Sequence, residues 1–235
     1  MIHCLHGAVG SPTSWELFQD SFPEPLNALD LWTLFDRATP SLAEAGQLIA
    51  ARARPNDILL GYSMGGRLAL HALLAEPAKW RAAIIISTHP GLTDGHRERI
   101  QKDEEWSILS LLKWQPFLRK WNQQAILSGS LKGFHPATFK DREAVSKSFQ
   151  HWSLGKQEEL RPQFARVTCP VLWLTGENDP KFTHLGGESS ALIPGARHQI
   201  LPGCGHRLPW EKPDLFLNAV EKFLAIDRKT TILNP

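Results

Sequence analysis

No stretch constrains this chain more than Asp57-Ile58-Leu59-Leu60-Gly61-Tyr62-Ser63-Met64-Gly65-Gly66-Arg67. An apolar run meets a G-x-S-x-G turn, and an apolar-periodic helix begins at once. A serine squeezed between a strand and a helix sits on a strained backbone. Its flanking positions must be glycine so that strand and helix can approach closely. The rest of the chain repeats the same alternation of short apolar runs with amphipathic stretches, the pattern of a parallel sheet covered by helices on both faces. Strands are expected at Ile2–Leu5, Leu26–Leu31, Ile58–Gly61, Ala82–Ser87, Val171–Thr175 and Gln199–Leu201. Helices are expected at Thr13–Phe22, Leu42–Arg52, Met64–Ala75, Thr183–Leu192 and Pro213–Ile226.

Between Thr88 and Pro170 the rhythm breaks. That region has no strand-like run and reads as helices over Arg97–Leu112, Phe117–Ser128 and Pro136–Ser153. Such an insertion between two core strands belongs above the carboxyl edge of the sheet, where loops build binding sites. The expected organisation is a core of residues 1–90 and 165–227, a helical cap of 91–164, and a loose tail, Arg228–Pro235.

Composition narrows the function classes. At 42% hydrophobic and 21% charged residues the chain is an ordinary globular sequence. A net charge of +2 gives no bulk attraction to nucleic acid or to a membrane surface. No apolar run approaches the roughly 20 residues that span a bilayer, and the first residues lack the features of a signal peptide. Cys4, Cys169 and Cys204 are too scattered for a disulfide framework, so a cytoplasmic location is expected. No cluster has metal-ligand spacing, and neither metal nor cofactor is expected. The oligomeric state is not legible.

Ser63 as a nucleophile or base needs a histidine, and the histidine needs an orienting acid. With this turn the chain order is serine, acid, histidine. His206 lies after the last strand in the loop Pro202-Gly203-Cys204-Gly205-His206. Asp179 follows the preceding strand in Gly176-Glu177-Asn178-Asp179-Pro180, with Glu177 as the competitor. An oxyanion hole needs two backbone N–H donors. Met64 supplies one, and Ala8, in the His6-Gly7-Ala8 turn after the first strand, supplies the other. His6 itself is expected to brace that turn. These residues imply the α/β-hydrolase fold, a mostly parallel sheet flanked by helices with a helical cap inserted between core strands.

Four further features give the chain a narrower resemblance. Gly65-Gly66-Arg67 closes the turn. His89-Pro90-Gly91-Leu92 precedes Arg99, Asp103 and Trp106 at the spacing R-x-x-x-D-x-x-W. The cap holds Trp121-Asn122-Gln123-Gln124, close to W-Y-Q-Q. The acid loop reads Gly176-Glu177-Asn178-Asp179-Pro180-Lys181-Phe182, matching G-E-x-D-x-K-F. With these motifs the chain resembles the 2-succinyl-6-hydroxy-2,4-cyclohexadiene-1-carboxylate synthases (MenH) of menaquinone biosynthesis. It departs from them at Asp30–Arg37, where D-x-P-G-H-G is usual and one wall of the entrance changes. It departs again at Asn122, and at Leu154-Gly155-Lys156-Gln157, a reduced form of G-T-G-x-Q.

The resemblance implies a lyase that eliminates pyruvate from 2-succinyl-5-enolpyruvyl-6-hydroxy-3-cyclohexene-1-carboxylate. Ser63 then acts as a base on a carbon-bound hydrogen and the oxyanion hole holds a dienolate. A small polycarboxylate suits arginine forks. Arg67 and Arg99 are the expected anion-binding residues, with Arg142 or Lys140 of the later cap as a third. Tyr62 and Trp121 are expected to line the pocket. From Lys113 to Lys156 the chain carries eight Lys or Arg against two acids, Asp141 and Glu143. The alternatives are a serine carboxylesterase or thioesterase, whose basic cap would greet an acidic carrier protein, and a ligand sensor that kept the triad without turnover.

Overall fold

The computed structural model describes residues 1–22, 24–127, 129 and 133–233, with side chains as far as residue 226. Six strands, β1 (Ile2–Leu5), β2 (Leu26–Leu29), β3 (Asp57–Tyr62), β4 (Trp80–Ile86), β5 (Val171–Gly176) and β6 (Arg197–Leu201), form one parallel sheet in the order β2-β1-β3-β4-β5-β6. The chain steps from β1 to one side and then crosses back to place β3 on the other. Loops leaving β1 and β3 therefore diverge, which opens a crevice at their carboxyl ends. Gly7-Ala8 and Ser63 lie at those two ends.

Strand alternation assigns each side chain to a face. Ile58, Leu60 and Tyr62 of β3 and Ala82, Ile84 and Ile86 of β4 pack with Trp15, Phe18, Trp210, Phe216 and Phe223. Leu59, Ala83, Ile85 and Trp173 point the other way, into a second cluster with Leu68, Ile49 and the cap residues Trp106, Phe117 and Trp152. The first face is covered by α8 (Pro213–Leu233) and the 3-10 segment Pro12–Phe18, the second by α1 (Leu42–Arg52) and α2 (Met64–Ala75). Between β4 and β5 come α3 (His96–Leu112), α4 (Trp114–Asn122) and α5 (Arg142–His151). After β5 come α6 (Pro180–Ser190) and, past β6, the single turn α7 (Leu208–Glu211).

Differences from the sequence expectations have local causes. Asp30 ends β2 by accepting the Trp32 N–H at 3.0 Å and capping a 3-10 turn, Leu31–Phe35. Pro12 starts the Pro12–Phe18 segment as a 3-10 helix, and Trp15 and Phe18 fall three apart on one buried side. Thr138 and Asp141 form a capping box, so the α-helix expected from Pro136 begins only at Arg142. Pro136 instead bridges Gly10, and the Ala137 N–H donates to Val9 O at 2.9 Å. α4 stops at Asn122 and a 3-10 turn, Ala125–Leu127, replaces its expected continuation, whose last residue Ser128 lies outside the described residues. α6 starts at Pro180 rather than Thr183 because Asp179 caps it and Pro180 suits the first helical position. The segment read as a tail is a correction: α8 runs on to Leu233, since no glycine or proline interrupts it after Pro213. Asn234 and Pro235 lie outside the described residues. Among the described residues no helix is long and apolar enough to cross a membrane.

The α1–α2 contact carries a pH-dependent cost. Gly46 lies so close to α2 that a Cβ there would come within 2.6 Å of the His71 Cβ. Among the described residues the buried His71 Nε2 has no hydrogen-bond partner. Burial first, and then the charge of Arg67, pull the His71 pKa from 6.5 to about 4. The folded chain thus binds fewer protons than the unfolded chain between those values, and stability falls as pH drops through that window. His71→Leu is expected to flatten urea-unfolding free energy against pH, gaining up to about 3 kcal/mol over wild type near pH 4 relative to pH 7. A wild-type-minus-variant difference that stays constant with pH would contradict this.

Candidate active site

Ser63 ends the β3 turn with φ +53°, in the left-handed region, and α2 starts at the next residue. The two flanking glycines are required by contact. A Cβ on Gly61 would come within 2.6 Å of Gly65 O, and one on Gly65 within 2.4 Å of Leu5 O. The strained turn lifts Ser63 Oγ to 3.1 Å from His206 Nε2. On the far side of the ring, His206 Nδ1 lies 2.7 Å from Asp179 Oδ2. A carboxylate can only accept, so Nδ1 carries the proton and Nε2 is left to take one from the serine hydroxyl. His206 and Asp179 are both buried. Asp179 Oδ1 also accepts the Phe182 N–H at 3.4 Å as the cap of α6. Glu177 is not placed to compete. It is exposed and accepts the Gly203 N–H at 2.8 Å, which fixes the loop before His206.

The loop of His206 is clamped from below. Glu211 accepts the Gly205 N–H at 2.6 Å and the Arg207 N–H at 2.9 Å, holding the peptide groups on both sides of the imidazole. The Phe182 ring stands edge-on to that imidazole with centroids 4.5 Å apart.

Across the crevice, Ala8 and Met64 line the same cavity as Ser63. The turn bearing Ala8 is braced by His6, whose Nδ1–H donates to Gly7 O at 3.0 Å while Nε2 accepts the Leu31 N–H at 3.3 Å. Burial pulls the His6 pKa down to about 4, which keeps this two-sided brace neutral. The Trp32 ring packs at a tilt against His6, centroids 4.8 Å apart, and its indole N–H donates to Gly10 O at 3.0 Å. The departure at Asp30–Arg37 therefore packs beneath the turn. Among the described residues none of that stretch lines the cavity, so the expected change of an entrance wall is not found.

The cavity holds about 240 Å³ between the sheet edge and the cap. Arg67, Arg99 and Trp121 line it as expected. Arg67, buried on α2, donates to Trp152 O at 2.7 Å and to Gln157 Oε1 at 3.1 Å. Gln157 was read only as a remnant of a motif, yet it aims this guanidinium and also donates to His89 O at 3.4 Å. Burial, then the neighbouring Arg99, disfavour the Arg67 charge, and Asp103 supports it. Arg99 Nε donates to Asp103 Oδ2 at 2.9 Å, which Ser153 Oγ also reaches at 2.7 Å. The R-x-x-x-D spacing is thus an i,i+4 ion pair on α3. Trp121 stands edge-on to Trp106, centroids 5.3 Å apart.

Two sequence expectations are corrected. Tyr62 does not line the cavity. It shares the parity of Ile58 and Leu60, so its ring turns under Gly7 and packs 4.9 Å from Trp210 and 5.6 Å from His206. Arg142 and Lys140, the expected third anion-binding residue, do not line the cavity. Arg142 donates to Phe139 O at 3.2 Å and lies over the Phe139 ring at the start of α5. Lys102 and Lys181 line the cavity instead. Lys102 lies three residues after Arg99 on one face of α3, and Lys181 follows the Asp179-Pro180 cap. His89, on the wall with them, accepts the Gly91 N–H through Nδ1 at 3.2 Å. Burial and then Lys181 and the two arginines pull its pKa to about 3, so it stays neutral among cations.

Comparison with known proteins agrees with this architecture. A model of the alpha/beta hydrolase family matches residues 4–219. A Bacillus subtilis protein named putative 2-succinyl-6-hydroxy-2,4-cyclohexadiene-1-carboxylate synthase is 30% identical over 94% of this chain and 89% of its own length. The synthase of that name from Serratia proteamaculans is 28% identical, over 94% of this chain and 91% of its own. Among solved structures, MenH from S. aureus superposes with a TM-score of 0.80 at 20% identity, covering 97% of this chain and 94% of that one. A thermophilic esterase from Thermogutta terrifontis reaches 0.72 at 13% identity, covering 96% and 89%, which speaks for the shared fold alone. The chain therefore belongs to the alpha/beta hydrolase family and, within it, to the family of the 2-succinyl-6-hydroxy-2,4-cyclohexadiene-1-carboxylate synthases.

Proposed function

We propose that this chain is a carbon–oxygen lyase of menaquinone biosynthesis that eliminates pyruvate from 2-succinyl-5-enolpyruvyl-6-hydroxy-3-cyclohexene-1-carboxylate. One observation carries the reading. The Ser63 hydroxyl opens into a cavity whose charged walls are Arg67, Arg99, Lys102 and Lys181, and no carboxylate lines it among the described residues. The substrate bears carboxylates on its ring, its succinyl arm and its enolpyruvyl group. A neutral ester would gain nothing from such a wall, whereas carboxylates match guanidinium forks and ammonium groups. The names of the relatives support the same chemistry, and a cytoplasmic location fits it.

The chemistry follows from the bonds that change. The substrate ring has its double bond at C3, and the product has double bonds at C2 and C4. A hydrogen must leave C2, beside the succinyl ketone, and the enolpyruvyl oxygen must leave C5. Ser63, its proton drawn to His206, takes the C2 hydrogen, and the electron pair moves onto the ketone oxygen. The Ala8 and Met64 N–H groups hold that dienolate, each donor worth about 3–4 kcal/mol. Re-forming the ketone shifts the diene into place and breaks the C5–O bond. The proton held by His206 goes to the departing enolpyruvate, which becomes pyruvate. Asp179 supports the imidazolium between these steps.

The cationic wall is tested by removing it. Arg67→Ala, Arg99→Ala and Lys181→Ala are each expected to lower kcat/KM for the tricarboxylate at least tenfold, about 1.4 kcal/mol. Labelling of Ser63 by a small neutral fluorophosphonate should stay unchanged in the Arg99 and Lys181 variants. Equal losses in both assays would mean that these cations serve the fold and not the substrate.

A further inference from the structure

Arg207, the residue after His206, has a side chain that is almost entirely buried, 2% exposed, although it carries a full charge. Its guanidinium donates to Asn122 Oδ1 at 2.7 Å and to Leu127 O at 3.1 Å. It also lies over the Phe134 ring, 5.1 Å from the centroid. Both acceptors are neutral. The Glu211 carboxylate favours the charge, but it is engaged by the backbone N–H groups of Gly205 and Arg207 and forms no ion pair with the guanidinium among the described residues, and a buried cation held on neutral acceptors is expensive unless its geometry serves something. Each acceptor belongs to, or adjoins, a wall of the active site. Asn122 follows Trp121, and Leu127 lines the cavity. Arg207 thus joins the loop of His206 to the end of α4 and to the turn that follows it. Its backbone N–H is held independently by Glu211 at 2.9 Å, so any pull on the side chain is passed to the loop and not absorbed by a slack main chain.

We propose that Arg207 is a positioning residue that couples the seating of the cap to the placement of His206 Nε2 against Ser63 Oγ. With α4 and the Ala125–Leu127 turn seated, the guanidinium has its acceptors and the His206 loop is drawn into register. If that edge of the cap lifts, both acceptors leave. The charge must then follow them or be rehydrated, and either movement displaces the residue next to the base. Proton transfer from Ser63 is therefore efficient only while this edge of the cap is down, which also excludes water from the cavity during turnover.

The proposal rests on the pairing of Ser63 with His206 and not on which substrate the enzyme uses, so its test does not employ the natural reaction. The second-order rate of Ser63 labelling by a small neutral fluorophosphonate is measured for wild type, Asn122→Ala, Arg207→Met, Arg207→Lys and the Asn122→Ala/Arg207→Met double variant, with Tm recorded for each. Asn122 is half-buried at the end of a helix, so its variant keeps the test decisive if Arg207→Met fails to fold. Asn122→Ala is expected to slow labelling about fivefold without a matching fall in Tm, and Arg207→Met at least tenfold. The double variant should be no slower than Arg207→Met alone, because both remove one linkage. Arg207→Lys should recover part of the rate, since an ammonium can reach one of the acceptors. Wild-type labelling in Asn122→Ala, or losses that multiply in the double variant, would overturn the proposal and leave Arg207 as core packing. If the labelling pattern holds while no pyruvate is released from the proposed substrate, only the reaction assignment falls.

Discussion

Ser63→Ala is expected to lower pyruvate release by about 10⁴-fold or more while leaving the fold intact. Alanine at position 63 meets the same backbone strain at φ +53° that serine meets, so the turn and the approach of β3 to α2 are unchanged. What disappears is the oxygen 3.1 Å from His206 Nε2. The cavity cations and the proposed oxyanion donors Ala8 and Met64 are retained, so the proposed substrate should still bind, and KM should move far less than kcat. The residual rate comes from the pocket alone, as in other enzymes whose triad members act as one unit. Adding His206→Ala should therefore cost little more, because the imidazole has no function without the hydroxyl. Single-turnover rates, with Tm as the control, check this. A variant that keeps more than a few per cent of the wild-type rate would mean that another group removes the C2 hydrogen.

Asp179→Asn should cost about 10³–10⁴-fold in kcat, by a different route. Asp179 accepts on both oxygens, the Phe182 N–H at Oδ1 and the His206 Nδ1–H at Oδ2. The amide keeps its carbonyl toward Phe182, since that donor demands an acceptor. Its NH₂ then faces Nδ1 and forces the ring into the other tautomer, with the proton on Nε2. A protonated Nε2 cannot accept from Ser63, and the charge that supports the imidazolium is gone as well. The effect should appear in kcat, with KM nearly unchanged and the α6 cap retained. Asp179→Glu should be less damaging at Nδ1 and more damaging to α6, so the two variants separate the electrostatic duty from the capping duty. A loss in Asp179→Asn that tracks a fall in Tm would contradict this account.

What could be read in the sequence follows from burial and local sterics. Strands covered on both faces must be apolar, and β1, β3, β4 and β5 were found within two residues of their observed ends. β6 was the least complete. It is an edge strand with exposed Arg197 and Gln199, so its polar start gave no apolar signal. The glycines around Ser63 were legible because only close approach calls for two of them there. The positions of Asp179 and His206 at successive strand ends followed from chain order. Tyr62, expected from the resemblance to line the pocket, packs on the other face of the sheet although it lies beside Ser63 in sequence. Counting parity from Ile58 and Leu60 would have put it on the opposite face. Lys102 was open to the same kind of count, since it is three residues from Arg99 on one helix. Gln157 and Arg207 carried no such signal. Their partners are 90 and 85 residues away, and only the folding of the cap onto the core brings them together.

The most direct test of the account is pyruvate release from the enolpyruvyl cyclohexene substrate by wild type and Ser63→Ala, with a short-chain aryl ester run in parallel. The account predicts rapid pyruvate release by wild type alone, matched mole for mole by the cyclohexadiene product, and slow ester turnover. Efficient ester turnover with a burst of acylated Ser63 and no pyruvate would contradict it, and would make the same serine, histidine and aspartate the machinery of a hydrolase.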